Sequence, residues 1–152
     1  MNIPPLKHSN WEERARVDNI VVADDSSVYA IVRFASMDHL YKSVDGGSSW
    51  QHLKIPSFEN KNEEATINTI VISDDNSIIY AGSHDGVYRS VDGGRSWQAP
   101  EVVTGKMSAE VIAIDPTNSK TVYSGGFGGM HKSADGGRTW REINKGLPQV
   151  AW

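Results

Sequence analysis

Three aspartates stand in nearly the same phrase: SVDGGSSW at 43–50, SVDGGRSW at 90–97 and SADGGRTW at 133–140. Carboxylates used in pairs perform the acid–base work of glycoside hydrolysis, one protonated and the other ionised. That division of labour needs two unlike environments. Asp45, Asp92 and Asp135 have like neighbours, so the repeat argues against acid and base roles. It suits a hairpin brace instead. The glycine pairs Gly46–Gly47, Gly93–Gly94 and Gly136–Gly137 reach positive φ without a Cβ clash, and an Asp side chain can accept from the amides that follow it. Ser43, Ser90 and Ser133 precede each carboxylate. Ser49, Ser96 and Thr139 can tie the turn further, and Trp50, Trp97 and Trp140 bring a large apolar side chain at a fixed offset. The catalytic residue set is therefore read as none.

Other chemistry is sparse. The five histidines, His8, His39, His52, His84 and His131, show no H-x-x-x-H spacing for a metal. His131 stands where Tyr41 and Tyr88 stand in its sister units, and reads as a strand side chain. DDSS and DDNS lack the acidic ladder of a calcium loop and read as turns. GGFGG at 125–129 has no helix after it to present phosphate-binding amides, and reads as a hairpin turn with Phe127 exposed. The sequence thus implies neither metal nor cofactor.

The elements that position these residues follow from the repeat. The three aspartates recur at about forty-five residues, and a second marker runs in step, with Asp24, Asp74 and Asp115 ahead of Tyr29, Tyr80 and Tyr123. Ile, Val, Tyr and Thr runs bounded by Asp, Asn, Ser and Gly predict four short strands per unit. In the second unit these fall at 69–73, 78–82, 87–91 and 96–99. No segment has a helical period. The expected fold is all-β: antiparallel four-stranded propeller blades, in units of approximately 17–57, 66–104 and 108–146, within one domain over 1–152. Trp11 marks a flanking strand, and GLPQVAW the opening of another unit. The linkers SFENKNEEAT and VVTGKMSAE lie between blades.

The phrase S-x-D-G-G-x-[ST]-W resembles the Asp box, or BNR repeat, of sialidases, xyloglucan-degrading enzymes, sortilin-type receptors and photosystem II assembly propellers. The likeness covers all three copies at their defining positions. It implies a propeller whose boxes are structural turns away from the ligand face, and it is shared by enzymes and non-enzymes. The sialidases' Arg-Ile-Pro signature is missing; the nearest text is VRFAS around Arg33. Arg89, Arg95, Arg138 and Arg141 lie in or beside the boxes. A xyloglucanase-like cleft needs two propellers, more than this chain supplies.

Turns of a four-stranded blade alternate between two rims. The rim opposite the boxes gathers Arg33, Phe34, Met37 and Asp38 from the first unit, His84 and Asp85 from the second, and Phe127 from the third. These turns differ between units, which makes them the candidate ligand rim. Three blades leave faces uncovered, so the expected partners are a second copy completing a six-bladed ring, or the remainder of a longer propeller of six to eight blades. The leading reading is a non-catalytic scaffold for protein or glycan. A glycoside hydrolase, whole or in part, and a purely structural module are the alternatives. Net charge is −4, against a nucleic-acid binder. No apolar run is long enough to span a membrane. The opening MNIPPLKHSNWEERARV has no apolar core, so no signal peptide is expected, and the compartment stays open between cytoplasmic and processed extracytoplasmic. Cysteine is absent, which removes disulfides and thiolate metal sites.

Overall fold

Short β-branched and aromatic runs, broken repeatedly by Asp, Asn, Ser and Gly, favour strands joined by tight turns. The computed structural model describes residues 14–58, 60 and 62–148. Its regular elements are all strands: β1 Arg16–Val22, β2 Val28–Phe34, β3 Met37–Ser43, β4 Gln51–Leu53, β5 Ile67–Ile72, β6 Ile79–Ser83, β7 Gly86–Ser90, β8 Val102–Val103, β9 Val111–Asp115, β10 Asn118–Gly126, β11 Gly129–Ser133 and β12 Thr139–Glu142. They form three sheets in the orders β1-β2-β3-β4, β5-β6-β7 and β8-β12-β11-β10-β9. The fold is all-β, with consecutive strands paired antiparallel as in propeller blades. The backbone divides into two compact units, Met1–Lys54 with the first sheet and Ile55–Trp152 with the other two.

Two sheets depart from four strands. The fourth strand expected at 96–99 is reduced to one bridge, in which Arg89 and Gln98 exchange both backbone hydrogen bonds at 3.0 and 2.8 Å. Pro100 follows with no N–H to extend the ladder. The third sheet gains a strand instead. Val102–Val103, expected to be linker, pairs parallel with Thr139–Trp140. The strand expected at Trp11, residues 149–152 of the unit opening expected at GLPQVAW, and His8 lie outside the described residues.

In the second unit, the third sheet packs against one face of the second. Residues opposite each other on neighbouring strands share a face, so Val71, Tyr80 and Arg89 point the same way. Tyr80, Ile78 and Val87 meet Val122, Ala109, Met107 and Trp140 in one buried cluster, with Ile112 and Ile114 at its margin. Each aliphatic side chain buried there contributes roughly 1.5–3 kcal/mol. The Tyr80 hydroxyl donates to the Ser119 carbonyl at 3.1 Å, and burial pushes its pKa up to about 12. In the first unit Ala30, Val32 and Tyr41 form a smaller core with Ala15 and Trp50 against it.

Candidate functional site

The three Asp-Gly-Gly turns are near copies at atomic detail. Ser43, Ser90 and Ser133 donate to Oδ1 of their aspartates at 2.8–2.9 Å, and accept from the amides of Gly47, Gly94 and Gly137 at 2.8–2.9 Å. The same Oδ1 accepts the amides of Ser49, Ser96 and Thr139, while Oδ2 takes their hydroxyls at 2.5 Å. Both glycines of each pair are left-handed, with φ from 69° to 92°. Indole nitrogens of Trp97 and Trp140 donate to the Gly94 and Gly137 carbonyls. Trp140 is fully buried, whereas Trp50 and Trp97 are half-buried.

These bonds set the acidity. The Ser49 hydroxyl and amide, with Ser43, hold Asp45 down at about 2. Ser96 does the same for Asp92. At Asp135 burial pushes upward, but Thr139 and Ser133 outweigh it and leave the group at about 2. A carboxylate so placed stays ionised and is a poor proton donor near neutrality.

The turns between first and second strands are braced in a similar way. Asp25, Asp75 and Asp115 accept the amides of Ser27, Ser77 and Thr117 at 2.8–3.0 Å. The physical rule is an Asx turn, Asp-x-Ser/Thr, read two residues forward.

The candidate rim residues fall into three separate environments. Arg33 and Phe34 end β2, and Met37 and Asp38 begin β3. Ala35 and Ser36 form the turn between them, both left-handed at φ 53° and 62°. Met37 is exposed. Asp38, expected on an open rim, is 8% exposed beneath Arg33, whose Nη1 is 3.6 Å from Oδ2. Burial raises the Asp38 pKa, and Arg33 only partly opposes it. The placement follows from register: Asp38 lies directly across from Arg33, as its neighbour on the sheet, not in the loop.

His84 is exposed at the β6–β7 turn, and Asp85 beside it is held on several sides. Asp85 Oδ1 accepts the Ser83 hydroxyl. Its Oδ2 accepts Ser57 Oγ and Tyr88 Oη, each at 2.9 Å. Burial raises the Tyr88 phenol, which keeps its proton for this bond, and the phenol oxygen accepts the Phe58 amide at 2.8 Å. Asp85 thus fastens the start of the linker, Ser57 and Phe58, to its turn. Phe127 is 65% exposed between β10 and β11. Gly128 beside it is left-handed at φ 91°, and a Cβ there would run into the Lys106 carbonyl.

Two histidines that spacing kept apart are brought together. Pairing of β3 with β4 stacks His52 on Tyr41 at 5.0 Å, and sets it edge-on to His39 at 5.3 Å. The only signal for this in the sequence is the hairpin itself. His131 is buried, with Nε2 2.9 Å from the Thr104 carbonyl. Among the described residues, no helix is long and apolar enough to cross a membrane.

No protein-family model matches the sequence, and no curated protein matches it either. Solved structures do. An ancestral GH74 enzyme aligns at 24% identity and TM-score 0.61, over 84% of this chain and 18% of that one. The GH74 xyloglucanase from Xanthomonas campestris aligns at 16% identity and TM-score 0.61, over 84% and 23%. YCF48 bound to a D1 peptide aligns at 18% identity and TM-score 0.60, over 95% and 43%. The chain spans less than half the length of each. With the three meander sheets, these likenesses show a β-propeller fold, of which this chain holds a part.

Proposed function

We propose that the three turns are Asp boxes of one propeller domain over 1–152, with units at approximately 17–57, 66–104 and 108–146. We propose further that the domain is a non-catalytic scaffold for binding or assembly. The observation that carries this reading is the commitment of Asp45, Asp92 and Asp135 to their own hairpins: each carboxylate accepts its local Ser or Thr hydroxyls and amides. The reading places ligand contact on the second-to-third turns, which differ from unit to unit. A protein segment is favoured over glycan by the likeness to YCF48, a propeller seen with a peptide and aligned over 95% of this chain. Fluorescence polarisation against peptide and glycan panels, beside turnover assays on xyloglucan and aryl glycosides, tests it. Saturable peptide binding without turnover is the expected result. Hydrolysis of any of these substrates overturns it in favour of the second reading, a segment of a glycoside hydrolase, which the GH74 likeness supports.

The reading includes a homodimer. Val17, Ile20 and Val22 on β1 are 50–64% exposed, and Val111 and Met130 on β9 and β11 are also exposed. Apolar side chains concentrated on sheet faces mark interfaces. Light scattering on the eluting protein should give twice the chain mass, and a stable monomer would refute the dimer.

A further inference from the structure

Arginines cluster at one end of the first sheet. Arg14, Arg16 and Arg33, with Phe34, Ala35 and Ser36, line a groove of about 420 Å³. Arg16 lies directly across β1–β2 from Arg33. Like charges so placed repel, and a sheet built for stability alone would avoid them. The groove is also not a by-product of a basic chain, because the net charge is −4.

Among the described residues, the neighbouring acids do not neutralise it fully. Asp18 takes Arg16 Nε and Nη2 at 2.6 and 3.3 Å, in a pair whose arginine side is 70% exposed. Exposed pairs of this type are weak and can exchange for another anion. Arg33 meets Asp38 Oδ2 only at 3.6 Å, beyond hydrogen-bond reach, so its donor fork stays largely uncommitted. Arg14 takes part in neither pair. Asp38 beneath is 8% exposed, and its Oδ1 has no hydrogen-bond partner. The buried Asp38 lies on one side of the Arg33 guanidinium, whose side chain is 45% exposed to a ligand.

At the mouth of the groove Ala35 and Ser36 form a two-residue hairpin turn, both left-handed at φ 53° and 62° as a primed turn requires, which sets Arg33 and Phe34 at the very end of β2.

We propose that this groove binds an acidic peptide segment, whose carboxylates bridge Arg14, Arg16 and Arg33 while Phe34 packs on its stem. The proposal rests on the scaffold reading above and names the partner chemistry of one of its turns. An extended acidic strand suits the site best. It presents same-side carboxylates every ~6.8 Å, the interval between alternate residues of a strand, so that successive carboxylates can reach separate guanidinium groups of the groove. In addition, among the described residues β1 stands at the end of its sheet order and offers an edge for such a strand to follow.

The test uses a fluorescein-labelled peptide of alternating Glu and Ser, its Gln–Ser counterpart, oligogalacturonate and a single-stranded DNA, each titrated onto the whole chain by fluorescence polarisation or competition. The Glu–Ser peptide should bind, the Gln–Ser peptide should not, and affinity should fall with salt. Arg14→Gln, which breaks neither ion pair, and Arg33→Gln should each weaken binding about tenfold, the loss of roughly one charge-assisted hydrogen bond. Arg141→Gln, on the third sheet, serves as the charge control and should change little. Equal binding of both peptides, indifference to Arg14→Gln and Arg33→Gln, or absence of binding overturns the proposal. So does tighter binding of oligogalacturonate or DNA. Charge-indifferent peptide binding that survives both variants would leave the scaffold reading standing while removing this site from it.

Discussion

Two adjacent glycines in the third Asp-Gly-Gly turn should respond very differently to the same added methyl. At Gly136 the backbone has φ +74°, and a Cβ would meet Ile78 Cδ1 at 3.5 Å, an ordinary contact. At Gly137 φ is +84°, and a Cβ would lie 3.0 Å from Tyr80 Cε1. Carbon pairs are comfortable at 3.5–4.0 Å. Tyr80 is fully buried and its hydroxyl is tied to the Ser119 carbonyl, so the ring cannot withdraw without moving the neighbouring turn. Gly136→Ala should therefore cost only the left-handed penalty, roughly 1–2 kcal/mol. Gly137→Ala adds overpacking of roughly 1–3 kcal/mol, for a total of roughly 2–5 kcal/mol. Urea unfolding with an unchanged m-value reads both. A double variant with Tyr80→Leu should recover part of the Gly137→Ala cost and none of the Gly136→Ala cost. Equal losses at the two positions, or no coupling to Tyr80, would show that this turn does not pack on the second sheet as described.

Asp45 and Asp38 of the first unit should give pH dependences of opposite sign. Asp45, held down at about 2, adds stability that is complete above the unfolded carboxylate range near 4 and is lost as pH falls through about 2. Asp38 is raised by burial, so its ionisation costs stability as pH climbs through its folded value. Asp38→Asn should raise the melting temperature at pH 7, with the gain vanishing below pH ~4, and a loss at pH 7 would refute this. Asp85→Ala should free the 55–66 linker by stranding the Tyr88 and Ser57 hydroxyls, at roughly 1–3 kcal/mol. Faster amide exchange at Phe58 is the expected signature, and unchanged exchange refutes the latch.

The braced turns were legible because their partners are close in sequence. Ser43, Asp45, Gly47 and Ser49 satisfy one another within a few residues, so the phrase alone specifies the geometry. The first-to-second turns obey the same local rule, Asp75 accepting from Ser77 two residues on. Features that depend on distant partners were not legible. Val102–Val103 becomes a strand only because Thr139–Trp140 offers it an edge. Asp85 looks like an open rim acid until Ser57 and Tyr88 close on it. Arg16 and Arg33 become opposed only once β1 and β2 pair in this register, with its bulge between Val17 and Asn19.

That division between local and distant determinants bears on where function resides. The second-to-third turn occurs three times in the same topological place and is built three ways. In the second sheet its carboxylate is occupied by a linker. In the third it is a glycine turn whose prominent side chain is Phe127. Among the described residues, the first presents Arg33 over the buried Asp38, 3.6 Å apart, beside a left-handed turn at Ala35 and Ser36. A repeat held together by identical braces tolerates such differences, because each turn's brace is independent of its neighbours'. The left-handed pair Ala35–Ser36 is the geometry a two-residue hairpin turn asks for, so what sets the first copy apart is its side chains and not its backbone.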